Sequence, residues 1–191
     1  MQNTLTIALR QFRSFFNGPV AYIVIAIVLI ALGLFFWTPF FLMNHASVRE
    51  MFRLLGIILA FAVPALTMGL LAEERRSGTI ELLITMPVRD MDVIFGKFLA
   101  SLGLLAVLLV CTLPYPISVS TLGNLDWGPV LTGYFGLFLE AGAMLAIGLM
   151  CSSFTENQLI AFFVSMALCT VLAFFIGWFL PFMPPGIIDS G

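Results

Sequence analysis

Charge is the scarcest property of this chain. Of 191 residues, eight are Lys or Arg and ten are Asp or Glu, 9% together, where a water-soluble domain carries about a quarter. A fold so poor in charge cannot coat itself for water, which excludes an ordinary soluble domain. Histidine occurs once and cysteine three times. Cys111, Cys151 and Cys169 lie in or beside apolar runs with no metal-ligand spacing and no disulfide framework, so they read as small buried hydrophobes. No G-x-x-x-x-G-K-[ST] run is present to cradle nucleotide phosphates, and neither H-E-x-x-H nor G-x-S-x-G occurs. No basic stripe could neutralise a nucleic-acid backbone. Arg10 and Arg13 precede an apolar run too long for a secretory signal, and no small-residue cleavage site follows it.

What the chain has instead is hydrocarbon. Hydrophobic residues make up 61%, phenylalanine alone numbers 20, and the mean hydropathy is +1.13. Lipid must replace water as the main solvent, and the expected fold class is an all-α integral membrane protein. Five segments are long enough to cross a hydrocarbon core, which takes about 20 apolar helical residues: 19–42, 51–72, 91–111, 127–150 and 159–180. Pro64 should kink the second, and the third is expected to unwind near Pro114 and Pro116. Trp37, Trp127 and Trp178 fall near span ends, where an amphipathic ring prefers the headgroup level. Arg10, Arg13, Arg75, Arg76, Arg89 and Lys97 fall on one side of this arrangement, Arg49 and Arg53 on the other. That bias places the N-terminus and the 73–92 loop in the cytoplasm.

Residues 1–18 carry apolar positions Leu5, Ala8, Leu9, Phe12, Phe15 and Phe16 at three- and four-residue spacing, with Gln2, Thr6, Arg10, Arg13 and Asn17 elsewhere. The pattern predicts an amphipathic helix in the cytoplasmic interface, in contact with membrane lipids, before the chain turns inward at Gly18-Pro19. A plain extension of the first span is the alternative, which Gly-Pro disfavours.

The stretch 71–100, LAEERRSGTIELLITMPVRDMDVIFGKFLA, concentrates the charges: Glu73, Glu74, Arg75, Arg76, Glu81, Arg89, Asp90, Asp92 and Lys97. The acid–base run at 73–76 prolongs the second span into water. Ser77 or Thr79 can cap a new helix, with Gly78 allowing the change of direction, and Glu81 then suits the helix dipole. Ile80, Leu82, Leu83, Ile84 and Met86 follow until Pro87 stops the segment. A helix of about two turns is not stable alone in water. It must dock on lipid headgroups, on its own protein or in a partner's groove.

The string EERRSGTIELLITMPV, followed by GKFLA, closely resembles the first cytoplasmic loop of ABC-2 type transporter permeases, nearest to the small group that includes gliding-motility and nitrous-oxide-reductase-maturation permeases. SSFTENQLIAFF, residues 152–163, resembles the start of that family's fifth span. The resemblance implies that loop 73–90 is a coupling helix seated in a cleft on a separate ATP-hydrolysing subunit. Glu74, Arg76, Ser77, Gly78, Thr79, Glu81, Leu82 and Leu83, with Met86 and Pro87 beyond, would form or support that contact. Leu82, Leu83 and Met86 suit an apolar anchor and the flanking charges a polar rim. The resemblance also implies that ATP is bound by the partner and no cofactor by this chain, and that a second permease protomer, identical or paralogous, completes the path. Family members usually have six spans. The sixth is missing here, and truncation before it is expected.

Glu140 stands near the middle of the fourth span, where a charge costs about 2.5–3.5 kcal/mol even on insertion scales. It could line a translocation path or bond across subunits, or it could be a protonated, satisfied packing residue. Gly142, Ala143, Ala146 and Gly148 follow it and allow close helix approach. His45 reads as a solvated loop residue, and Asp126, Glu156 and Asp189 as boundary residues. The function implied is the membrane-spanning subunit of an ATP-driven exporter, or of a mechanotransmitting complex, in a bacterial or archaeal plasma membrane. A non-transport scaffold that recruits a cytoplasmic ATPase for motility or cofactor maturation is the alternative. An intramembrane enzyme built on Glu140 would lack a second catalytic group.

Overall fold

The computed structural model describes residues 2–43, 48–72, 90–122 and 127–179. They form helices joined by turns: α1 (Gln2–Asn17), α2 (Val20–Met43), α3 (Val48–Thr67), α4 (Asp90–Thr112), α5 (Pro114–Leu122), α6 (Trp127–Phe154) and α7 (Gln158–Phe179). Among the described residues four stretches are long and apolar enough to cross a membrane: Val20–Trp37, Met91–Thr121, Trp127–Phe154 and Gln158–Phe175. Met51–Thr67 within α3 is a shorter apolar helix. The protein is an all-α membrane protein.

Several boundaries depart from the sequence expectation for physical reasons. The second span is expected over 51–72 with a kink at Pro64; α3 starts at Val48, carries through Pro64 for one further turn and gives way to turns at 68–71. Thr67 contributes to that stop: its Oγ1 bonds back to Val63 O at 3.1 Å and Pro64 O at 3.4 Å, competing with the helical ladder. The third span does not unwind at its prolines. Only Leu113 leaves the helix, and α5 begins at Pro114 itself. Pro114 and Pro116 both fall in the first turn of α5, where a missing N–H has no intrahelical partner to lose. Ile117 N then restores the ladder by bonding to Leu113 O. α6, on the fourth expected span, runs on to Phe154, past the expected end at 150.

The main core is built from Val28 and Leu32 of α2, Leu55, Leu59 and Val63 of α3, Leu105 and Leu108 of α4, Met144 and Leu145 of α6, and Cys169 of α7. Outside it the apolar surface stays open: Phe163, Val171, Phe174 and Phe175 on α7 and Leu34 and Phe35 on α2 are exposed. Such faces are expected where hydrocarbon is the solvent. Because lipid is as apolar as leucine, packing rather than water exclusion must hold the helices together, and small residues mark where backbones meet.

Those contacts give the topology. Along α3 and α6, Phe52 lies against Gly133 and Tyr134, Glu140 against Gly56 and Thr67 against Gly148, so the two helices run in the same direction. Tyr115 of α5 reaches back to α2, its hydroxyl donating to Leu29 O at 2.8 Å beside Gly33. α1 runs beside α4, also in the same direction: Thr4 Oγ1 donates to Asp92 Oδ1 at 2.8 Å, Ile7 packs on Gly96 and Phe12 on Gly103.

The closest of these approaches can be tested. A methyl group on Gly148 would lie 2.1 Å from Thr67 Oγ1 and 2.9 Å from its Cβ, atoms of a stiff branched side chain. Gly148→Ala should therefore destabilise the α3–α6 pair by about 1–3 kcal/mol. Gly136→Ala, with nothing within 4 Å of the added carbon, should be neutral or stabilise by up to about 1 kcal/mol through helix propensity. Unfolding of the two purified variants in detergent compares them directly.

Candidate functional site at the root of the charged loop

In the sequence the charged stretch 73–89 lies between the end of the α3 segment at Ala72 and the start of α4 at Asp90. The final carbonyls of any helix lack intrahelical partners, and near hydrocarbon they must be satisfied by something else. Ser152, in the last turn of α6, supplies much of this. Its Oγ accepts the Leu71 N–H at 3.2 Å and the Ala72 N–H at 3.1 Å, and donates to Met68 O at 3.2 Å. A hydroxyl with one donor and two acceptor positions is thereby used in full. Lys97, on α4, donates its ammonium to Leu70 O, and a cation at a helix C-terminus also complements the dipole. Leu70 N closes a tight turn onto Thr67 O at 3.2 Å.

These groups are sealed in: Lys97 is 3% exposed and Ser152 and Thr67 not at all. Leu70, Leu71 and Leu149 form a small cluster over the clamp, with Phe15 of α1 and Phe98 of α4 packed against it. Ser101 Oγ bonds to Lys97 O at 2.9 Å. Gly96, directly before Lys97, lets α1 pass, since a methyl group there would lie 2.7 Å from Ile7 Cγ2 and 3.2 Å from Thr4 O. The adjacent glycine and lysine thus hold two different helices. At the far side of the clamp, Asn157 Oδ1 accepts the Leu159 N–H at 3.0 Å and so caps α7.

The residues expected to contact a partner, Glu74, Arg76, Ser77, Gly78, Thr79, Glu81, Leu82, Leu83, Met86 and Pro87, lie outside the described residues, as does His45. Glu140 is placed mid-way along α6, partly buried, with its carboxylate oxygens 3.6 Å from where a Cβ on Gly56 would stand. Tyr134 is engaged elsewhere, sharing a 3.1 Å hydrogen bond with Thr112 Oγ1. Among the described residues no three His, Cys, Asp or Glu side chains gather into a metal site. Cys151 and Cys169 are buried and Cys111 partly so, all three as free thiols.

Both strings singled out in the sequence supply this clamp: GKFLA gives Gly96 and Lys97, and SSFTENQLIAFF gives Ser152 and Asn157. Compared with known protein families, the chain matches the model described as ABC-2 family transporter protein over residues 4–185. The chain belongs to the ABC-2 transporter family. It is therefore a membrane permease component of an ABC-type transporter, the part of such a machine that is not the ATPase. Comparisons with curated proteins and with solved structures gave no significant match.

In the sequence of this ABC-2 permease Lys97 stands out only as an orienting charge and as a letter of GKFLA, and Ser152 only as a letter of its motif. The signal that could have found Lys97 is a lone cation more than a turn inside an apolar helix, which needs a buried acceptor. Removing the hydroxyl in Ser152→Ala should leave two N–H groups and one carbonyl unpaired, each at about 1–3 kcal/mol. Amide exchange at Leu71 and Ala72 should accelerate by about tenfold or more, while exchange in the middle of α6 stays unchanged. Hydrogen-exchange mass spectrometry reads both.

Proposed function

We propose that this ABC-2 permease binds a separate cytoplasmic ATP-hydrolysing subunit through loop 73–90 and carries the motion of that subunit into the membrane, for export or for mechanical work. The observation that supports this most is the clamp. One end of the loop (Leu70–Ala72) is tied to α4 through Lys97 and to α6 through Ser152, so a push on the loop reaches three helices as a unit. Ser152 is followed at once by the Asn157 cap of α7, which extends the same linkage one helix further.

The loop itself has the composition of a docking element. Leu82, Leu83 and Met86 supply the apolar anchor, and Glu74, Arg76 and Glu81 the polar rim that sets register. By residue type, Ser77, Gly78 and Thr79 suit a turn into a short helix, and Pro87 suits its end. The basic bias puts this end and α1 in the cytoplasm of a bacterial or archaeal cell. A helix set of this size encloses no path alone, so a second protomer, identical or paralogous, completes it. Export of a substrate is the reading the family favours over a static scaffold.

The test is co-purification with a P-loop ATPase, sought first in the reading frames adjacent to that of this chain. Leu83→Asp places a carboxylate in the anchor and should weaken the complex by about 2 kcal/mol or more, roughly thirtyfold, with membrane insertion intact. An ATPase that stays bound after deletion of residues 77–86 would sink the coupling role. Bound ATPase whose hydrolysis responds to no lipid, peptide or polysaccharide would instead favour the scaffold.

A further inference from the structure

The outer side of α1 has a division of labour that docking on α4 does not use. Its inner face, Ala8 with Ile7, Phe12 and Phe15, packs on the bundle. Beside that face runs an apolar strip in which Leu5 is 61% and Leu9 53% exposed. Beyond the strip lies an open groove lined by Thr6, Leu9, Arg10, Arg13, Ser14 and Asn17. Arg10 and Arg13 are three residues apart, hence neighbours on the helix surface, and both are exposed. α1 contains no acidic residue, and Asp92 of α4 accepts a hydrogen bond from Thr4. Two like charges at this spacing repel unless an anion sits between them.

We propose that this groove binds the headgroup of an anionic phospholipid, with the phosphate between the guanidinium groups of Arg10 and Arg13. Guanidinium forks pair with phosphate oxygens in bidentate geometry, and Ser14 and Asn17 add hydroxyl and amide donors at the rim. The apolar strip identifies the source of the phosphate. Leu5 and Leu9 would be left in water by a free ion, but an acyl chain of the same lipid covers them. A helix that carries acyl contacts on one flank and a paired cation on the next is built for the boundary between headgroups and chains. The site rests on the proposed function only in that it assigns this leaflet to the cytoplasmic side.

The experiment reconstitutes the full chain into vesicles with equal phosphatidylglycerol and phosphatidylcholine in both leaflets, extracts it gently and measures the retained lipids by native mass spectrometry. The wild-type chain should retain the anionic lipid in preference by about thirtyfold, from two basic residues near the surface. Arg10→Gln/Arg13→Gln should bring the ratio close to one. Arg10→Lys/Arg13→Lys should keep most of it, and Arg49→Gln/Arg53→Gln, with the same charge removed at the far ends of the spans, should leave it unchanged. A ratio unaltered in the Arg10/Arg13 glutamine variant overturns the site. So does displacement of the lipid by millimolar inorganic phosphate, which would make the groove a site for free anions. No ATPase enters the measurement, so its result stands apart from the coupling role of the loop.

Discussion

The structure turns on how a helix ends at the edge of hydrocarbon. α3 stops at Thr67, six residues before Glu73, the first charge of the charged stretch. The backbone groups released by that stop have neither a helix nor free water to bond to. The protein answers with side chains from two other helices, the Ser152 hydroxyl and the Lys97 ammonium. A buried ammonium would be expensive by itself, the more so among leucines; the Leu70 carbonyl at the dipole's negative end offsets part of that cost. The same bonds that satisfy the backbone also bind α3, α4 and α6 at one level. Satisfaction of the chain end and the joining of three helices therefore use one set of atoms.

Around that point glycine sets the spacing. Gly148 brings α6 onto Thr67, Gly96 brings α1 onto α4, and Gly133 admits Phe52. In water such contacts would be secondary to hydrophobic burial. In lipid they are the main source of helix affinity, because the alternative to an apolar neighbour is another apolar neighbour. The small residues noted after Glu140 divide accordingly: Gly148 is buried against α3, while Ala143 and Ala146 are exposed.

Much of this was legible in the sequence, and the limits have physical causes. The fold class followed from charge poverty and apolar run length. The break between α1 and α2 followed from Gly18-Pro19, which the structure places as bends between the two helices. Helix ends were less legible. Proline was read as a breaker at 114 and 116, but its effect depends on position within a turn, and a first-turn proline starts a helix. The end of α3 was hidden because the hydropathy of 68–72 continues that of the span, whereas the stop depends on Thr67 and on a partner more than eighty residues away. Periodicity has no access to a bond of that sequence separation.

Glu140 shows where local reading and packing part. Its position in an apolar span marks it as costly, and the structure sets it against Gly56, a residue with no side chain to answer it. Among the described residues no hydrogen bond or ion pair to its carboxylate is formed, and Tyr134 is committed to Thr112. The reading of a packing residue satisfied within its own bundle requires a partner that this neighbourhood does not provide. A path lined with water or a group from a second protomer would each provide one, and both belong to the assembled transporter rather than to the single chain. The clamp and the glutamate thus differ in kind: one closes its bonds within the chain, and the other forms none among the described residues.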